Sequence, residues 1–108
     1  MITFAEFKKA DIRIGTILSA EKVPEADRLI KLMVNLGEES PRQILSGIAE
    51  HYPDPSVLVG KQVPVLANLP TRVIRGLESQ GMVLYAVGEG FLTTVEPGRE
   101  VPNGTVVQ

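Results

Sequence analysis

The chain has 108 residues, a net charge of −2 and a pI near 5.4, a size that supports one domain with a modest core. Its apolar fraction of 44% and charged fraction of 22% are those of an ordinary soluble globular protein, and no apolar run approaches the ~20 residues of a membrane helix. Zero cysteines exclude disulfides and thiolate chemistry, and the acidic balance argues against binding nucleic acid by bulk positive charge.

The N-terminal MITFAEFKKADIRIG has no basic segment followed by an apolar one, so no signal peptide is expected and the expected location is cytoplasmic. Thr3-Phe-Ala-Glu6 has capping-box spacing and predicts a short helix over roughly 3–9. Phe4 and Phe7, three residues apart, read as a docking face of that helix. Asp11 to Val23 predicts one strand, bent or bulged at Gly15. PEAD (24–27) is a turn. Ile30, Leu32, Val34 and Leu36 alternate with Lys31, Met33 and Asn35, as in a strand with one buried face. GEESP (37–41) closes a hairpin onto a third strand from Arg42 to Gly47.

GIAEHY then predicts a helical turn before PDP. Lys61 to Leu69 predicts a fourth strand, with Pro64 at an edge or bulge. Gly81 to Val87 predicts a fifth, and PGRE and PNGT mark turns in the tail. Five uneven strands with glycine bends and short helices point to an all-β, five-stranded OB-type barrel over residues 1–108, with a β-sandwich as the alternative.

Catalytic equipment is missing from the pattern. One histidine, His51, and no cysteine leave no zinc set. GLESQG (76–81) misses the spacing of a nucleophile elbow, and GEG (88–90) lacks the third glycine of a dinucleotide fingerprint. A non-catalytic binding protein without a cofactor is the expectation. Five aromatic residues are too few for a stacking platform along bare strands, which leaves a reader of shape and phosphates.

DIRIGTI (11–17), PEADRLIKL (24–32), RQILSGI (42–48), LVGKQVPVLANL (58–69), RGLESQGMVL (75–84) and VPNGT (101–105) occur in this order. Together they resemble the tRNA-binding domain family, which includes bacterial structure-specific tRNA-binding proteins, the C-terminal domain of methionyl-tRNA synthetase and the endothelial monocyte-activating polypeptide module. The resemblance implies an OB barrel and tRNA binding without catalysis. It also implies a homodimer and a possible synthetase partner, methionyl foremost. On matching positions it implies an RNA-facing surface of Asn68, Arg72, Arg75, Ser79 and Met82, to which Lys31 and Arg42 add charge. Asn68 and Ser79 have a competing role as turn-holding hydrogen bonders, and Met82 as core. Asn68-Leu-Pro-Thr71 and Val73 depart from the family pattern, which commonly has lysine there. A sister branch resembles a peptide-binding secretion chaperone and is the alternative function. LSGIAE (45–50) and LESQGMVL (77–84) favour the tRNA-binding branch. Phe91-Leu92 and Val106-Val107 are candidate dimer contacts, or pack back on their own barrel.

Overall fold

A computed structural model describes residues 1–108. Thr3 and Glu6 form the expected capping box, each side chain accepting from the other's backbone N–H at 3.1 and 3.0 Å. The helix α1 is confined to Phe4–Phe7. Its docking face is half realised: Phe7 is half-buried, whereas Phe4 is exposed, with the Lys8 ammonium 5.4 Å from its ring centroid.

The main sheet is built from β1 (Ile12–Lys22), β2 (Ile30–Asn35), β3 (Arg42–Ser46) and β4 (Gln62–Leu66). Alternation in β2 buries Ile30, Leu32 and Val34 completely, and they meet Ile17, Ile44, Val63, Val65 and Val83 in one core. Each such side chain contributes about 1.5–3 kcal/mol by leaving water. β1 is long enough to pair with β4 over its first half and with β2 over its second. The expected bend falls at Leu18, where the β1–β2 register shifts, and not at Gly15. Gly15 serves close approach instead: a Cβ there would lie 2.7 Å from both Leu36 Cδ2 and Val34 Cγ1.

Residues 48–52 close the expected single turn, His51 N and Tyr52 N donating to Ile48 O at 2.9 and 3.2 Å, and a 3₁₀ helix begins on the second proline of PDP, at Pro55–Leu58, capped by Asp54. A proline at the first helical position and an aspartate cap favour a helix start there. A hairpin follows, β5 (Arg72–Ile74) with β6 (Leu77–Ser79).

The expected fifth strand is split into β7 (Met82–Val83) and β8 (Tyr85–Gly88). Pro64 supplies the reason. It lies within β4, between β1 and β7, and not at an edge. Its carbonyl accepts from Leu84 N at 3.0 Å, but it has no N–H to return the bond. The ladder therefore stops, and β8 leaves to form a hairpin with β9 (Phe91–Thr94). The tail returns as β10 (Val106–Val107) along Ile12 and Arg13. Ile14 N donates to Thr105 O, and Gly104 N to Ile14 O, both at 2.8 Å. Strand order β3-β2-β1-β4-β7, with β3 and β7 approaching at the ends, is a nearly closed OB-type barrel. No helix is long and apolar enough to cross a membrane.

Candidate functional site

Closure of the barrel uses side chains where a backbone ladder is missing. Gln80 N donates to Gln43 O at 2.8 Å, and the Gln80 side-chain oxygen accepts from Gln43 N at 3.0 Å. Gln43 Nε2 reaches Glu78 O at 2.9 Å. Ser79, 5% exposed, accepts from Leu45 N at 3.0 Å and donates to Gly81 O at 3.3 Å. Without that hydroxyl the Leu45 N–H would be a buried, unpaired donor.

Arg42 is the cation of this seam. Its Nε and Nη2 grip Glu38 at 2.8 Å each, while Nη1 donates to Ala67 O at 2.7 Å and Gln80 O at 3.2 Å. The same fork holds the Glu38 carboxyl below, and the Arg42 guanidinium above, their ordinary pKa. Asn68 is also committed. Its Oδ1 accepts from Asp11 N at 2.9 Å, and its Nδ2 donates to Lys9 O at 2.7 Å, tying the N-terminal segment to the end of β4.

The other sequence-predicted positions face solvent. Arg72 is exposed at the foot of the β5–β6 hairpin, opposite Ser79, and Arg75 is exposed at its tip. Met82 is 45% exposed on β7. Lys31, half-buried on β2, pairs loosely with Glu21 at 3.7 Å and lies opposite Leu45 of β3, hence on the same sheet face.

Arg75 and Gly76 both have positive φ, 53° and 78°, and join two directly paired strands in a two-residue loop. That is a type I′ turn, which favours asparagine and glycine and strains an arginine. Replacing Arg75 by asparagine is therefore expected to stabilise the chain by about 1 kcal/mol. Calorimetry should show a melting temperature higher by roughly 4–8 °C. An unchanged or lower value would refute strain at this position.

The hairpin, β3 and the start of β8 enclose a groove of about 360 Å³. It brings Arg72, Ser79 and Met82 together with residues that sequence reasoning missed: Ser46, Gly47, Leu69 and Tyr85. Tyr85 Oη donates to Ser46 Oγ at 2.9 Å, and burial pushes its phenol up to about 12 against the opposing effect of that bond. A neighbouring hollow of about 240 Å³ holds Arg75 beside Arg28, a second omission. Arg28 stands in PEADRLIKL, and its position two residues before a strand was its only signal.

The ion pairs engage Arg13, Lys31, Arg42 and Lys61. Lys8, Lys9, Lys22, Arg28, Arg72, Arg75 and Arg99 make no ion pair, and of these Arg28, Arg72 and Arg75 lie at the groove and its neighbouring hollow. These three have no carboxylate within 4.0 Å, although Glu25 and Asp27 share the hollow. The largest cleft, about 580 Å³ between Lys61 and the tail, balances Lys61 and Arg99 against Glu96 and Glu100. It offers no net charge to a polyanion, so the smaller groove is the stronger candidate. No three His, Cys, Asp or Glu side chains gather as a metal set.

OB barrels bind oligonucleotides and oligosaccharides on the strand 2–3 face and the connecting loops beside it. β2, β3, the Pro24–Leu29 connection and the β5–β6 hairpin occupy those positions here. The class defined by this fold and site is the OB-type binding module.

The chain belongs to the putative tRNA binding domain family, whose model matches residues 12–106. It is 51% identical over 108 residues to the methionine–tRNA ligase of Flavobacterium johnsoniae, covering 99% of this chain and 15% of the ligase. The chain thus spans about a sixth of the length of such relatives. Among solved structures it resembles the methionyl-tRNA-synthetase-related protein of Pyrococcus horikoshii, with 35% identity, a TM-score of 0.91 and coverage of 100% of this chain and 98% of that one. It also resembles the chaperone CsaA of Bacillus anthracis, with 33% identity, a TM-score of 0.87 and coverage of 100% and 99%.

Proposed function

We propose that residues 1–108 act as one non-catalytic tRNA-binding module, either free-standing or serving an aminoacyl-tRNA synthetase in trans, with methionyl-tRNA synthetase the first choice of partner. The observation that carries this reading is the set of unpaired arginines, Arg28, Arg72 and Arg75, beside the groove on the ligand-binding side of the barrel. Guanidinium forks match phosphate oxygens, and screening beyond ~10 Å at moderate salt keeps distant acids from cancelling a local patch. Within the site, Arg72, Arg75 and Met82 face the RNA, Lys31 flanks it, and Arg42, Asn68 and Ser79 hold its frame. Similarity to methionine–tRNA ligases supports the choice of synthetase.

Peptide binding is the second reading, favoured by the likeness to the Bacillus anthracis chaperone and by the apolar side chains of the groove. A gel shift with total tRNA at two salt concentrations, with an unfolded peptide as competitor, separates the two. We expect a salt-sensitive complex that the peptide does not displace. Peptide binding without an RNA complex would exclude the tRNA reading.

The module acts as a homodimer in this reading, because two copies double the contact with a large folded RNA. The exposed Val106 and Val107 of β10 and the exposed Phe91 offer apolar contact. Sedimentation is expected to report a dimer, and a monomer independent of concentration would exclude it.

A further inference from the structure

We propose that the groove between β3, the β5–β6 hairpin and β8 receives one unstacked nucleobase of the bound RNA, while Arg72 holds an adjoining phosphate. This inference rests on the tRNA-binding reading and names the part of the RNA that the groove takes.

The volume of about 360 Å³ lies in the range of small-ligand sites, roughly 300–1,000 Å³. Apolar side chains suited to the flat faces of a base line it, Ile48, Leu69 and Leu92 with the thioether of Met82. At its inner end lies the Ser46–Tyr85 pair. Tyr85 donates to Ser46, and the Ser46 hydroxyl has no acceptor within the protein. Ser46 thus keeps a free donor, and the Tyr85 oxygen keeps an acceptor lone pair. A donor beside an acceptor is what reading the edge of a base requires. The phenol stays protonated at neutral pH, so the pair holds two hydroxyl protons, one in the Tyr85–Ser46 bond and one free for a ligand.

At the exposed end, Arg72 has no carboxylate partner, so its charge is available to a phosphate. One base fits this arrangement better than a run of bases, since a stacked strand needs several aromatic platforms and Tyr85 is the sole aromatic lining the groove. A peptide fits it less well. Peptides commonly dock by adding a strand to a free sheet edge, but the β3 edge at Gln43 and Leu45 is already occupied by Gln80 and Ser79.

Gly47 provides the test. It lines the groove, and a Cβ built there meets no atom within 4 Å. Gly47→Leu should fill the groove and weaken binding of total tRNA about tenfold, with the slope of log affinity on log salt unchanged because no phosphate contact is lost. Should that variant melt far below the parent chain, Ser46→Ala replaces it, with a loss of roughly three- to tenfold at the same slope. The chain has no cysteine, so Gly47→Cys installs a single thiol, whose alkylation should slow when total tRNA is saturating.

Full affinity in a folded Gly47→Leu, or in Ser46→Ala, would overturn the base site. So would alkylation unaffected by tRNA. If Arg72→Ala still weakens binding in those cases, the tRNA reading survives without the base site. Absence of any complex with the parent chain overturns both. Displacement of tRNA by an unfolded peptide that also protects the introduced thiol would make the groove a peptide site.

Discussion

Replacing Arg72 and Arg75 together by alanine should lower the affinity for total tRNA by roughly ten- to a hundredfold, as expected for two lost charge-assisted bonds. The slope of log affinity on log salt should flatten by about one to two units, one per phosphate released. Neither guanidinium makes an ion pair, and both residues are exposed on the hairpin. Folding should therefore change by less than ~0.5 kcal/mol, since alanine keeps the Cβ and with it the strain of the Arg75 turn. The loss should be the same for every tRNA, since phosphate contacts carry no sequence information. A folded double variant with unchanged affinity and salt slope would remove both arginines from the interface.

Arg42→Ala should have the opposite signature. The Arg42 guanidinium satisfies Glu38, the Ala67 carbonyl and the Gln80 carbonyl at once, and so clamps the start of β3 to the end of β4 and to the β6–β7 link. Its removal should cost about 2–3 kcal/mol, with the carbonyls left poorly paired. That corresponds to a melting temperature lower by roughly 10–20 °C. Lysine should rescue little of it, because one ammonium cannot reproduce the fork.

Acid supplies a second readout. Glu38 has a folded pKa below its ordinary value, so its contribution is present above that ordinary value and is lost as pH falls through the folded one. Between pH 7 and pH 3 the parent should lose stability at this pair, and Arg42→Ala should lack that component. RNA binding by the variant, measured well below its melting point, should retain the parental salt slope. A flattened slope at unchanged stability would instead make Arg42 a phosphate contact.

Much of the barrel is legible in the sequence. Strict alternation over Ile30, Leu32 and Val34 reports a strand with one buried face, and the Thr3–Glu6 capping box lies within four residues. PEAD, GEESP and the exposed arginines beside RGLESQG were likewise readable, since turn chemistry and charge are local properties. The ordered motifs identified the family, which the match over residues 12–106 bears out.

What Arg42, Asn68 and Ser79 hold was decided by the tertiary structure alone. Arg42 finds carbonyls 25 and 38 residues away, Ser79 holds an N–H 34 residues away, and Asn68 reaches one 57 residues away. A polar side chain beside a strand end looks the same in sequence whether it meets RNA or an orphaned backbone group. The split of the last strand has the same origin. Pro64 was visible, but only its placement opposite Leu84 turns the missing N–H into the end of a ladder. The hairpin tip, the groove and the Ser46–Tyr85 pair arise where elements distant along the chain close the barrel. Local pattern determines which segments become strands, whereas the partner of each polar atom depends on which strands meet.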